Sequence, residues 1–247
     1  MSQWIRNCFL LFDMTTCKRL LLLSCFLLLY RVGKCAGVSR TVAAYGQGVD
    51  IRGCGIQGND ACNTTQFAIF ESNDGDEIIL SKGLHTCDTN ITTTVYGHSD
   101  NGIRFVDRDG TIPKGGIFIH GALNTKPEDV IYDCKHSQRA FAFMNEKEGR
   151  NTTLTGFSIY NGSAYAGGGV YIRLSAKPTF NHVVWIHNEA QGGGGGAYIR
   201  GSETKPTFNN CTFQENKTPN SQGGGGGVYI QAQASQAEPV AMLKSQI

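Results

Sequence analysis

The chain has 247 residues, 40% of them apolar and 17% charged, with a formal net charge of +2. That length suits one elongated domain with a small attachment, and the apolar share excludes a disordered chain. A charge so near neutrality, with no basic run interleaved with aromatics, removes nucleic acid from the partners to consider.

At the amino terminus, residues 20–30 form an apolar stretch without a charged side chain, behind Lys18 and Arg19. A bilayer crossing takes about 20 residues, whereas the core of a secretory signal peptide takes about 7–15. Residues 1–37 are therefore read as a signal peptide. Small residues at Cys35 and Gly37 allow cleavage before Val38, and Gly33 with Cys35 allow it before Ala36. Translation from Met14 would give a leader of more ordinary length than translation from Met1. The alternative is an uncleaved membrane anchor made of residues 8–12 and 20–30 together, but Asp13, Lys18 and Arg19 interrupt it.

Two features agree with export. Asn-x-Ser/Thr sequons occur at Asn63, Asn90, Asn151, Asn161, Asn210 and Asn216, each an acceptor for N-linked sugar in a secreted protein. Cleavage before Val38 would leave five cysteines: Cys54, Cys62, Cys87, Cys134 and Cys211. None has Cys-x-x-Cys spacing, which argues against a zinc or redox site. In an oxidising compartment Cys54 and Cys62 can close a small Gly- and Asn-rich loop. Pairing of Cys87 with Cys134 is open, though no pattern supports it, and Cys211 is the expected odd thiol.

The second half repeats itself. Gly167-Gly168-Gly169-Val170-Tyr171-Ile172 recurs as Gly194-Gly195-Gly196-Ala197-Tyr198-Ile199 and as Gly225-Gly226-Gly227-Val228-Tyr229-Ile230. Lys177-Pro178-Thr179-Phe180-Asn181 recurs as Lys205-Pro206-Thr207-Phe208-Asn209, and Trp185-Ile186-His187-Asn188 is echoed by Phe213-Gln214-Glu215-Asn216. Offsets of 27 and 31 residues between successive tyrosines lie in the range of stacked repeat architectures. The apolar, aromatic, apolar alternation has the two-residue period of a strand, and Pro178 and Pro206 stop a helix from running between the strands. Each unit thus holds strands and turns, and only stacking in register can bury its inner face. Val170, Ala197 and Val228 are expected in one inner column, and Ile172, Ile199 and Ile230 in another. Asn188 and Asn216 fall at turns where side-chain amides can bond from one unit to the next.

Phe213-x-x-Asn216 and Gly195-Gly196-Ala197 resemble the two motifs of the chlamydial polymorphic outer-membrane protein repeat. The wider resemblance is to proteins of the pectate-lyase-like fold, and it covers roughly residues 50–230. It implies an all-β, right-handed parallel β-helix, a solenoid with a short N-terminal capping helix. On this likeness residues 38–75 form a cysteine loop and capping helix, with Thr65 as N-cap and Phe67, Ile69 and Phe70 as its apolar surface. Asp74 to Leu80 resembles a first coil and Leu154 to Gly162 a middle one. Residues 76–230 are the β-helix. Residues 231–247 read as a tail without the cap that a solenoid end needs, as in a chain truncated from a longer repeat protein.

A phosphate cradle would need a helix after the glycines and a Lys-Ser/Thr pair, and neither follows here. Among charged clusters, Asp107 and Asp109 stand near Arg104 and Arg108, while Asp74, Asp76 and Glu77 surround Gly75 as in a turn. The repeat region has only the scattered Glu189, Glu203 and Glu215, so no acid/base constellation for polysaccharide cleavage is assembled. His85, His98, His120, His136, His182 and His187 show no metal-ligand spacing and fit polar surface or turn positions. No catalytic residue, metal or cofactor is assigned. Tyr171, Tyr198 and Tyr229 alternate with buried residues and are expected to point outward beside Arg173 and Arg200. Such a strip would either rigidify the sheet or contact sugar rings and anionic glycans.

The sequence thus reads as a secreted or cell-surface, non-catalytic scaffold of the adhesion type, with glycans or other cell-surface molecules as partners. Membrane attachment would come only through an uncleaved leader or a missing C-terminal part. A polysaccharide lyase or glycoside hydrolase on the same fold is the alternative, and a structural spacer of a longer surface protein the second. Amino-terminal sequencing of secreted material is expected to begin near Val38, and glycosidase treatment to increase its gel mobility. A leader retained on unglycosylated cytosolic protein would reject this reading.

Overall fold

The computed structural model describes residues 37–88, 92–95, 98–219 and 224–231. The leader through residue 36, the sequon at Asn90 and the tail from residue 232 lie outside the described residues.

Strands of two to four residues dominate, and most belong to three parallel sheets. The first sheet has six strands: Ser39–Val42, Glu77–Leu80, Phe118–Gly121, Thr153–Thr155, Thr179–Asn181 and Thr207–Asn209. The second has five: Gly83–Thr86, Val130–Asp133, Ser158–Tyr160, Val184–Ile186 and Thr212–Gln214. The third comprises Ile103–Arg104, Phe141–Phe143, Val170–Arg173, Ala197–Arg200 and Val228–Gln231. In each sheet the spatial order of strands follows their chain order. From Glu77 onward the chain visits the three sheets in rotation, so the crossovers that join parallel neighbours run through strands of the other sheets, whereas the crossover from Ser39–Val42 to Glu77–Leu80 carries the helix Thr65–Glu71. The fold is all-β and built on parallel sheets.

The sequence echoes become register partners. Phe180 sits beside Phe208, Trp185 beside Phe213, and Ile172 beside Ile199 and then Ile230. Phe180 and Phe208 stack at 5.1 Å with planes 9° apart, and Trp185 and Phe213 at 4.5 Å and 5°. Offset aromatic pairs of this kind contribute about 0.5–1.5 kcal/mol beyond area burial. Leu154, Ile159 and Val170, one from each sheet, all reach the same apolar core. The expected Ile199 is buried there, whereas Ile230, on the last described strand, is 38% exposed.

Corners between sheets fall on residues in the left-handed backbone region. Gly156, His182 and Asn210 occupy the corner after the first sheet, with φ of 72°, 52° and 49°. Asn161, His187 and Glu215 occupy the one after the second, with φ of 53°, 55° and 52°. Both repeat-region histidines are therefore turn residues.

Directly after the second corner comes Asn188, fully buried. Its Oδ1 accepts the Gly162 N–H at 2.7 Å, and its Nδ2 donates to Ile159 O at 3.0 Å and to Asn216 Oδ1 at 2.9 Å. Asn216 repeats the pattern one step on, donating from Nδ2 to Trp185 O at 2.9 Å. This amide ladder supplies partners that the backbone lacks where the strands break.

The helix Thr65–Glu71 forms as expected, but its N-cap is Thr64, not Thr65. Thr64 keeps an extended backbone and its Oγ1 accepts the Phe67 N–H at 3.2 Å. Thr65 is instead the first helical residue, its Oγ1 2.6 Å from the Tyr132 hydroxyl. Two adjacent threonines made the phase of the helix ambiguous. That phase buries Ala68 and Ile69 and leaves Phe67 and Phe70 half-buried. Disulfides join Cys54 to Cys62 and Cys87 to Cys134, and Cys211 is free.

Asn188→Ala is expected to destabilise the fold by about 3 kcal/mol, because it strands several buried polar groups. Asn209→Ala, which removes an exposed amide contact to Asn181, should stay within about 0.5 kcal/mol. Urea unfolding of the two variants checks the contrast.

Candidate functional site

The tyrosine strip is not available to a ligand. Tyr171 and Tyr198 leave the main core on the opposite sheet face, as the alternation requires, but they are 0% and 3% exposed, and Tyr229 is half-buried. Tyr171 and Tyr198 stack at 5.4 Å, Tyr198 and Tyr229 meet at 5.2 Å with tilted rings, and all three pack with Ala142, Met144, Tyr165 and Ala166 as a second apolar cluster. Chain leading into the glycine runs folds over this face. Gly193 approaches so closely that a Cβ there would lie 3.0 Å from the Tyr229 ring. Arg139, fully buried, places its guanidinium 5.2 Å from the Tyr171 ring centroid and donates to Ala166 O and Gly167 O. Alternation reports which face a side chain takes, but not whether that face is covered.

Arg173 and Arg200, the other candidates of that strip, are half-exposed register neighbours at the end of their strands. Both line a hollow of about 360 Å³.

The outer face of the six-stranded sheet is open instead. Register aligns Ser39, Glu77, Phe118, Thr153, Thr179 and Thr207 in one column. A second column holds Thr41, Ile79, His120, Thr155, Asn181 and Asn209. Phe118 is 46% exposed and borders a hollow of about 270 Å³ with His120, Thr153 and Thr155. Asn209 Nδ2 donates to Asn181 Oδ1 at 2.8 Å, and Asn181 Nδ2 to Thr155 Oγ1 at 3.4 Å. At the other end the Ser39 hydroxyl donates to Glu77, and His120 Nε2 lies 2.8 Å from Glu77 Oε1. These hydrogen bonds, Ser39 first, hold the Glu77 carboxyl below its ordinary value. His120 Nδ1 faces Gly121 O at 2.7 Å, so both ring nitrogens meet acceptors and neither is presented as a free base. Serine, carboxylate and imidazole meet here without a serine–imidazole contact, which is not the arrangement of an activated nucleophile.

The charged clusters do structural work. Arg104 forms a two-pronged ion pair with Glu148, whose side chain is wholly buried. Burial pushes the Glu148 carboxyl up and the Arg104 fork pulls it back. Arg108 pairs with Glu71 at 2.9 Å, and Asp107 accepts the backbone N–H groups of Thr111 and Ile112. Asp76 accepts those of Asn73 and Val38, in keeping with its turn. Lys114 donates to Ile69 O, Phe70 O and Ser72 O, covering the carbonyl end of the helix, and burial lowers its pKa. Sequence reading missed Glu148, Arg139 and Lys114, since nothing local marks a charge whose partner is distant in the chain.

Among the sequons, Asn151 and Asn210 are exposed, while Asn63, Asn161 and Asn216 are partly covered. The Asn216 amide takes part in the ladder, accepting from Asn188 and donating to Trp185 O. Asn161 Nδ2 donates to Asp133 Oδ1 at 3.0 Å. Burial pushes the Cys211 thiol up to about 11, away from the thiolate that acts as nucleophile. Burial also lowers the pKa of His85. No group of three His, Cys, Asp or Glu side chains among the described residues stands placed to hold a metal ion. None of the helices among the described residues is long and apolar enough to cross a membrane. Comparison with family models, with curated proteins and with solved structures finds no match to this chain.

Tyr171→Ala is expected to cost about 3–5 kcal/mol, the range for removing a buried aromatic. Thr153→Ala on the open face should change stability by less than about 0.5 kcal/mol. Denaturant midpoints at constant m decide whether the tyrosine is a packing element.

Proposed function

We propose that this chain is a right-handed parallel β-helix of the pectate-lyase-like kind, carrying repeats of the chlamydial polymorphic outer-membrane protein type. It acts as a non-catalytic scaffold on the cell surface or outside the cell, contacting glycans through the open face of its six-stranded sheet. Support for the helical winding comes from the rotation of the chain through three parallel sheets. Crossovers between parallel strands of one sheet are right-handed in about 98% of cases. Two disulfides favour an oxidising compartment.

The observation that carries the glycan reading is the pair of straight columns, Thr153, Thr179 and Thr207 beside Thr155, Asn181 and Asn209. Strands in a sheet are about 4.8 Å apart, so this face offers hydroxyls and amides at a fixed repeat. A hydroxyl both donates and accepts, and an amide does so from two atoms, which matches the hydroxyl-rich edge of a sugar chain. Phe118, exposed at one end of the columns, adds an apolar face of the kind that sugar rings lie against.

The secreted protein applied to a glycan array is expected to retain a defined class of neutral glycans. The Thr155→Lys/Asn181→Lys double variant should lose that retention while keeping its thermal midpoint. An array with no glycan retained, or shortening of an offered polysaccharide by the wild-type protein, would reject the non-catalytic scaffold.

A further inference from the structure

We propose that the last described level of the three sheets docks end to end on a second copy of this chain, giving a two-fold dimer. The contact uses strand edges, not the open face of the six-stranded sheet, and does not depend on the glycan reading of that face.

Thr207–Asn209, Thr212–Gln214 and Val228–Gln231 are each the outermost strand of their sheet. The Thr207 N–H donates to Pro178 O, and Asn209 O accepts the His182 N–H. In a parallel strand alternate residues bond to opposite sides, so Phe208 between them turns its N–H and C=O to the unpaired side. The Thr212 N–H donates to Val183 O and Gln214 O accepts the His187 N–H, which sets Phe213 the same way. In the third sheet Gly227 O accepts the Ala197 N–H and Gln231 O the Gly201 N–H. Val228 and Ile230 therefore also turn their backbone groups outward.

The apolar cross-section is open at the same level. Phe180, Trp185 and Ala197 are fully buried, but their register partners Phe208, Phe213 and Val228 are only half-buried. At the other end of the sheets Val42 and Ile103, also on outermost strands, are fully buried. There Cys62 of the disulfide loop bonds to Thr41 and Ala43, and the helix Thr65–Glu71 sets Ala68 and Ile69 into the core. Exposed edges are usually guarded by lysine or proline, yet none of the three outermost strands at the open end contains a charged residue or a proline. The amide ladder also stops short. Asn188 bonds to the levels on both sides, whereas the Asn216 amide reaches only the level of Asn188 and Trp185.

Such an end is matched by another of the same cross-section, with three strand edges around an apolar centre. Only one end of the described chain is open, so the contact closes at two copies rather than growing a fibre. Two-fold symmetry sets the facing strands antiparallel. Opposed residues of an antiparallel pair can exchange both of their N–H···O=C bonds, and Phe208 facing Phe208 of the second copy has both groups free to do so. The second-sheet edge then faces the third-sheet edge, bringing Phe213 against Val228 and Ile230. Around this level stand Glu203, Lys205, Glu215 and Lys217, two of each sign, so the copies meet without a net like charge.

The full chain is sedimented over a hundredfold range of concentration, and a reversible monomer–dimer equilibrium without larger species is expected. Ile230, 38% exposed, gives the variant Ile230→Lys, which places a charge on the edge and should weaken the dimer at least tenfold with the thermal midpoint of the monomer retained. Leu123→Lys, at a leucine 90% exposed away from these edges, should sediment as wild type. Hydrogen exchange of the wild-type chain needs no substitution: the Phe208 and Phe213 amides should exchange fast in dilute protein and slowly in the dimer. A monomer at every concentration, growth beyond two copies, a dimer unmoved by folded Ile230→Lys, or exchange at Phe208 and Phe213 that ignores concentration overturns the contact.

Discussion

The close approach of backbone to backbone at the glycine runs is the constraint on which the repeated part of this molecule depends. Gly169 N–H donates to Gly195 O at 2.9 Å, and Gly196 N–H to Gly226 O at 3.0 Å. A Cβ on Gly168 would stand 2.7 Å from the Gly195 carbonyl oxygen, with the Glu189 carbonyl nearer still. One on Gly196 would stand 2.7 Å from Gly227 O and 2.6 Å from the Phe213 ring. The first two runs therefore satisfy two demands each. In each, the first glycine, Gly167 or Gly194, has φ of 67° or 63° and turns the chain. The next two have ordinary backbone angles and are glycine only because there is no room for anything larger. Conformational freedom, the usual reason for glycine, explains one residue in three.

Once the levels sit that close, the rest of the cross-section follows. Side chains then meet directly one above another, and the like pairs Phe180 with Phe208 and Ile172 with Ile199 pack against each other in the interior. A strand break leaves backbone groups unpaired in the interior, and the Asn188–Asn216 ladder fills that gap at the same place in successive levels. Corners fall in register too, so His182 and Asn210 carry the same strained φ one above the other, 3.3 Å apart through their side chains. Each element is short and would be unstable alone; the stack supplies its partners.

Much of this was legible in the sequence because it repeats. The inner columns, the amide ladder, the Cys54–Cys62 loop and the helix near residue 65 could be read from period and residue type. Three things could not. The covering of Tyr171 and Tyr198 depends on Tyr165, Ala166 and the path of Gly192–Gly193, which do not belong to the strand whose alternation was read. The Arg104–Glu148 pair spans 44 residues and carries no local signature. The six-stranded sheet's open face was invisible because its columns draw on Ser39, Glu77 and Phe118, which precede the recognisable repeat and share no motif with it.

A consequence follows for where chemistry can reside in such a stack. Positions that the repeat specifies are committed to packing: exchanging Phe180, Asn188 or Gly195 for another residue type removes a contact to the levels on both sides. Variation is tolerated only where a side chain leaves the stack, on the open sheet face and in the turns. The informative residues are therefore those that break the repeat at such places. Phe118 and His120 stand where the threonine and asparagine columns end. Arg173 and Arg200 end in Gln231, although the tyrosine and isoleucine columns beside them run on unbroken through the same three strands. Packing repeats the tyrosine and the isoleucine through these three strands, but it does not repeat the arginine.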